Sequence, residues 1–167
     1  DKEVHQTTLF TAEATSANGR YIYTRPEVTI NADNNLWLYF GTGNTQKLQA
    51  QSSQIQNRIY GIKDVNFPNF VEVNPTGNVS MCKTAPTCPS GTDLGWYVDL
   101  DNAKKLTAEP TVDRDRVYFP LYEPSATNNK CGVGDAYFTA YETKCGESLL
   151  NVKMGKGVLS TVLKHVS

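Results

Sequence analysis

The sequence predicts an all-β chain of antiparallel sheets. Three observations carry this: apolar residues alternate with period two along several short segments, glycine and proline punctuate those segments, and one strand pattern occurs twice. Nine Tyr and six Phe, with abundant Val and Thr, suit a pleated and half-buried surface, and twelve Gly and eight Pro keep the elements short. At 167 residues the chain is long enough for one domain with a sizeable core.

Taken in order, Val28 and Ile30 form a short strand after Pro26. Leu36, Leu38 and Phe40 then face one way and Trp37 and Tyr39 the other, until Gly41-Thr42-Gly43 ends the strand. Arg58 to Val65 makes another strand around Tyr60 and Ile62, and Trp96, Val98 and Leu100 a further one. Val117, Phe119 and Leu121 alternate next, followed by Ala136 to Glu142 with Tyr137, Thr139 and Tyr141 on one side. In the tail from Val158 to Val166, Val158, Leu159, Val162, Leu163 and Val166 also fit a helical stripe, but β-branching favours a strand. Asn44 to Asn57, rich in Gln and Ser, and Pro68 to Thr92, with four prolines, read as surface excursions.

The repeat appears when the strands are aligned. Arg25-Pro26-Glu27-Val28 answers Glu109-Pro110-Thr111-Val112, Tyr39-Phe40 answers Tyr118-Phe119, and Tyr60-Gly61-Ile62 answers Tyr137-Phe138-Thr139, at offsets of 84, 79 and 77 residues. Repeats with variable insertions drift in this way.

Sixteen basic and seventeen acidic residues leave a net charge of −1, so no whole-chain field favours nucleic acid or an anionic membrane. No stretch has the apolar length of a membrane span, and Asp1-Lys2-Glu3-Val4 has no feature of a signal peptide. Cys82, Cys88, Cys131 and Cys145 are even in number and lack the C-x₂₋₄-C spacing of a zinc knuckle, which favours disulfides and an oxidising compartment. Both the sequential pairing and the two long-range pairings are open.

No reaction is legible. His5 and His165, the only histidines, sit near the ends, where a preorganised base is not expected, and phosphate-loop and dinucleotide glycine patterns are missing. Asp93, Asp99, Asp101 and Glu109 could supply a carboxylate pair only if the fold fixed their separation. Asp33-Asn34-Asn35, Asp99-Leu100-Asp101 and Asp113-Arg114-Asp115 do not continue as a calcium loop and read as turns. Asn78-Val79-Ser80 matches the short glycosylation triplet.

Several motifs in order resemble a known family. Leu9-Phe10-Thr11-Ala12, Thr24-Arg25-Pro26-Glu27-Val28, Tyr39-Phe40-Gly41-Thr42-Gly43, Tyr60-Gly61-Ile62-Lys63-Asp64 and Gly95-Trp96-Tyr97-Val98-Asp99-Leu100 are followed by Ala108-Glu109-Pro110-Thr111, Val117-Tyr118-Phe119, Pro124-Ser125 and Cys131-Gly132-Val133-Gly134. The succession is similar to the C-terminal β-propeller of PilY/PilC-type type IV pilus tip adhesins. That resemblance implies a single C-terminal fragment over 1–167, with two to three blades of an incomplete propeller: units at 9–65 and 95–145 and a loop insertion at 66–94. In it Pro26, Phe40, Gly41, Thr42, Gly43, Tyr60, Gly61, Asp64, Trp96 and Pro110 are packing and turn residues, not ligand contacts.

The resemblance also implies a non-enzymatic module at the cell surface, exported through the periplasm to the pilus tip. Its partners would be the upstream remainder of the propeller, minor pilins or other tip subunits, and a host or abiotic surface. No cofactor is expected on this chain, since calcium in such proteins would belong to an upstream segment. The alternative is a fragment of a quinone-cofactor propeller dehydrogenase, whose vicinal cysteine pair has no equivalent here.

Overall fold

The computed structural model describes residues 8–12, 20–51, 55–69, 81–83, 88, 90, 92–101, 103–126 and 131–164. They form two five-stranded sheets. In the first, β1 (Glu27–Ile30), β2 (Leu36–Gly41), β3 (Arg58–Asp64), β4 (Cys82–Lys83) and β5 (Gly95–Asp99) lie in the order β1-β2-β3-β5-β4. All pairings are antiparallel except β4 with β5, which is parallel. The second sheet contains β6 (Lys105–Leu106), β7 (Thr111–Asp113), β8 (Arg116–Glu123), β9 (Asp135–Glu142) and β10 (Ser148–Lys156). Its order is β10-β9-β8, with β6 and β7 both paired to β8, and every pairing is antiparallel. No helix among the described residues is long and apolar enough to cross a membrane.

Local chemistry sets the turns. Between β1 and β2 the Asn31 side-chain carbonyl accepts from the Asp33 and Asn35 amides, and Asn34 takes a left-handed φ of 60° that its short polar side chain tolerates. Between β7 and β8 the turn is only Arg114-Asp115, with Arg114 at φ 54°. This shorter turn accounts for much of the drift in the repeat.

Alternation puts one face of each sheet against the other. Trp37, Tyr39, Ile59, Trp96 and Leu100 of the first sheet meet Leu106, Val117, Phe119, Leu121 and Tyr141 of the second in one buried cluster. The opposite face of the first sheet carries Phe40, Tyr60 and Ile62, covered by Leu9, Phe10, Met81 and Tyr97. Trp37 and Tyr39 therefore face the interior together and Phe40 faces away, as the alternation requires.

The register refines the repeat. Phe40 pairs with Tyr60 and Phe119 with Thr139, so both members are displaced by 79 residues. The sequence match of Tyr60 to Tyr137 keeps the correct face but slips by two residues, the period of a strand.

The C-terminal expectation is corrected. Residues 158–164 form no strand, whereas Ser148–Lys156, unassigned from sequence, forms the longest one. Gly155 and Gly157 adopt φ of 126° and 123°, conformations that suit glycine, and the chain then leaves the ladder. It crosses the outer face of the second sheet, where the Thr111 hydroxyl donates to the Val162 carbonyl (2.7 Å) and Lys164 pairs with Asp113. Val166 lies outside the described residues. The 66–94 insertion is likewise not all loop, since β4 returns from it to the edge of β5.

Candidate interaction surfaces

Most of the motif residues are buried in the interior. Phe40, Gly41, Thr42, Gly43, Tyr60, Gly61, Trp96 and Pro110 are buried, Asp64 is half-buried and caps the end of β3 by accepting from the Asn66 amide, and Pro26 is exposed just before β1. Gly61 lies under the Trp96 ring, and Gly41 and Gly43 are backed by Leu106 and Lys105, so β-carbons there would meet filled space.

Two polar seams join the sheets. Thr42 exchanges backbone and side-chain hydrogen bonds with Arg58 while its carbonyl accepts from the Leu106 amide (3.1 Å), and buried Asn57 donates to the Lys104 carbonyl (2.9 Å). At the other end, the Thr143 carbonyl accepts from Trp96 Nε1 (2.8 Å) and from the Tyr39 hydroxyl (3.2 Å). A carbonyl has two lone pairs, so this acceptor is saturated. Trp37, stacked on Tyr39 with centroids 6.1 Å apart, is left with a buried Nε1 that has no acceptor. An unmade buried donor costs about 1–3 kcal/mol. Neither Thr143 nor the uneven treatment of the three rings was visible in the sequence, because the acceptor is backbone.

The candidate carboxylates are engaged separately. Burial opposes the charged form of Asp99, but hydrogen bonds from Lys83 and Arg58 hold its pKa below the usual carboxylate range. Glu109 pairs with Arg25 at 2.9 Å, and Asp93 accepts from Ser90, while Asp101 lines a shallow cleft at the far end of the sheets. Among the described residues no group of three or more His, Cys, Asp or Glu could hold a metal ion. Asp33 lies in a turn, as read, whereas Asp99 and Asp113 are the last residues of β5 and β7 and only Arg114-Asp115 of the third segment is a turn. His5, His165 and Asn78-Val79-Ser80 lie outside the described residues.

The cysteine expectation is half corrected. Cys82 and Cys88 form a disulfide with Cα atoms 5.8 Å apart, which excludes the long-range pairings. Cys131 and Cys145 are not bridged. They flank the eight residues of β9, which extend about 26 Å at ~3.3 Å per residue, far beyond the span of a disulfide. Cys145 instead sits in the tight turn after β9, its amide donating to Glu142, and burial pushes its thiol pKa up.

Lys105 was not singled out by sequence, since a lysine in a two-residue strand reads as solvated. It is buried, and its ammonium donates to the Leu48 and Ala50 carbonyls at 2.9 and 2.7 Å, holding the 44–51 segment down. Gln49 extends that segment to the second sheet through Tyr122 and the Gly132 carbonyl, so this stretch is more than a surface excursion. Burial lowers the Lys105 pKa to about 8. Below that pH the lysine is protonated both folded and unfolded, and the fold bears the full cost of burying the charge. Between about 8 and the unfolded value of 10.5 the folded chain releases the proton first, so stability rises with pH, by up to about 3 kcal/mol. Chemical unfolding at pH 7.5 and 9.5 is expected to show this rise in the native chain and lose it in Lys105→Met.

The outer surfaces differ in cover. On the second sheet Tyr118 and Phe138 stack at 5.4 Å, partly beneath the C-terminal segment. Beside them β10 leaves Leu149, Leu150, Val152 and Met154 exposed along an open edge. Between the sheets, a groove of about 380 Å³ separates β1 from the β7–β8 turn.

No protein-family model matches this sequence, and comparison with curated proteins finds no match. Among solved structures, the C-terminal domain of Pseudomonas aeruginosa PilY1 is similar, with a TM-score of 0.59 over 83% of this chain at 13% identity. The fold is PilY1-like. At that identity the likeness is one of fold alone, and the chain spans 34% of the PilY1 domain, about a third of its length.

Proposed function

We propose that this chain is a structural and adhesive module of a type IV pilus tip complex, supporting pilus assembly and surface attachment without catalysing a reaction. The observation that carries the reading is the likeness of fold to the PilY1 C-terminal domain. Each sheet contains a four-stranded antiparallel meander, β1-β2-β3-β5 and β7-β8-β9-β10, and the two pack face to face, which fits neighbouring blades of a β-propeller. Since the chain spans about a third of that domain, the upstream remainder of the propeller is its first partner. Minor pilins or other tip subunits, and a host or abiotic surface, are the further ones. The Cys82–Cys88 disulfide supports export to an oxidising compartment and the cell surface. Any calcium would belong to the upstream segment.

The reading is tested in a piliated host by deleting residues 20–164 from the full-length protein. Surface pili and attachment to an abiotic surface are expected to fall together. Pilus number and attachment unchanged from the parent strain would overturn it.

A further inference from the structure

We infer that the outer face of the second sheet is the seat of a third four-stranded sheet, supplied by the upstream remainder of the same polypeptide. This rests on the reading of the chain as part of a longer propeller and assigns the face at which that remainder packs. The pairing registers carry it. In the first sheet Glu27, Tyr39, Gly61 and Trp96 stand side by side across β1, β2, β3 and β5, and Gly41, Ile59 and Val98 form the next row on the same face. In the second sheet the corresponding rows are Thr111, Tyr118, Ala140 and Leu150, then Pro120, Phe138 and Val152. Both rows are displaced by 79 residues in β8 and β9 and by 54 in β10, so the correspondence is one of register and face.

The two equivalent faces differ in cover. Tyr39, Ile59 and Trp96 have almost no exposed surface, because the second sheet packs on them. Leu150 and Val152 are 37% and 41% exposed, and the stacked Tyr118 and Phe138 are half-buried. The C-terminal segment crosses the β7 side of this face, held by Thr111 and Asp113, and leaves a cleft of about 560 Å³ against Tyr118, Phe138 and Leu150. An apolar stripe running across β8, β9 and β10 is the mark of a sheet face that packs on another sheet.

The repeat identifies the occupant. The operation that carries the first sheet onto the second carries the second onto a third, which meets this face with its counterparts of Val117, Phe119 and Tyr141. A second copy of the chain does not fit. Its counterpart of that inward face is the Phe40, Tyr60 and Ile62 side of the first sheet, which Leu9, Phe10 and Met81 already cover. Since the chain spans 34% of the PilY1 domain, a domain of that length has ample further chain to supply such a sheet.

The test is hydroxyl-radical footprinting of the purified full-length protein and of the 167-residue chain, with oxidation mapped by mass spectrometry. Phe138, Leu150 and Val152 are expected to be as unreactive as the buried Trp96 in the full-length protein and to react in the chain alone. Leu150→Lys should lower the urea midpoint of the full-length protein and leave that of the chain unchanged. Reaction of Leu150 and Val152 in the full-length protein would overturn the inference. So would an equal loss of midpoint in both forms, which would assign the packing to the chain's own C-terminal segment, or protection that grows with the concentration of the chain, which would assign it to a second copy. The footprint of the unsubstituted protein decides the matter if the variant does not fold. It needs no pili, so its failure is distinct from failure of the pilus reading.

Discussion

Replacing Trp96 with alanine is expected to cost about 3–5 kcal/mol, the loss for a fully buried aromatic, and to lower the denaturant midpoint without changing the slope. The ring has no exposed surface, packs with Tyr39 and covers Gly61, and its indole N–H holds the Thr143 carbonyl. Truncation removes the packing and returns that carbonyl to Tyr39 alone. For a domain of this size such a loss is a large share of total stability, so on the proposed pilus role assembly and attachment should fail through unfolding. Trp96→Phe separates the parts, since it keeps most of the ring and drops the hydrogen bond.

The second large effect comes from the opposite change at the same contact. A β-carbon on Gly61 would lie 2.5 Å from Trp96 Cε2 and Nε1, so Gly61→Ala must displace the ring. Overpacking of this kind costs about 1–3 kcal/mol, and moving the indole off Thr143 adds about 1 kcal/mol. The two substitutions should not add. With Trp96 already truncated the new methyl enters vacated space, and Gly61→Ala should become nearly neutral. A double-mutant cycle measured by urea unfolding checks this, and simple additivity would show that the glycine is needed for some other reason.

Strands were legible where burial differs between their faces. Trp37 and Tyr39 against Leu36, Leu38 and Phe40, or Val117, Phe119 and Leu121 in β8, alternate because one side meets the core and a slip of one residue would reverse the arrangement. β10 was illegible for the converse reason. Both of its faces are largely exposed, and register shifts between Ser148 and Leu150 and between Lys153 and Gly155 break any period of two.

The interaction surfaces were less readable still, because their key partners are main-chain atoms. Thr143 acts through its carbonyl, and Lys105 is held by the carbonyls of Leu48 and Ala50, so residue identity signals neither role. Cysteine spacing left the pairing open, and the structure bridges Cys82 to Cys88. Cys131 and Cys145 are kept apart by the eight extended residues of β9 between them.

The two meanders differ most in how their last strands are connected. From β3 to β5 the chain spends residues 65–94, whereas from β9 to β10 it spends only residues 143–147, a sixfold difference in length for the same antiparallel neighbour pairing. Closure entropy grows only with the logarithm of length, so the longer route costs about 1.6 kcal/mol more. Chain can thus accumulate at this corner with little thermodynamic resistance, and the short parallel β4 and the Cys82–Cys88 bridge rein in what accumulates. Diversification between related proteins should concentrate there, leaving the paired strands on either side unchanged.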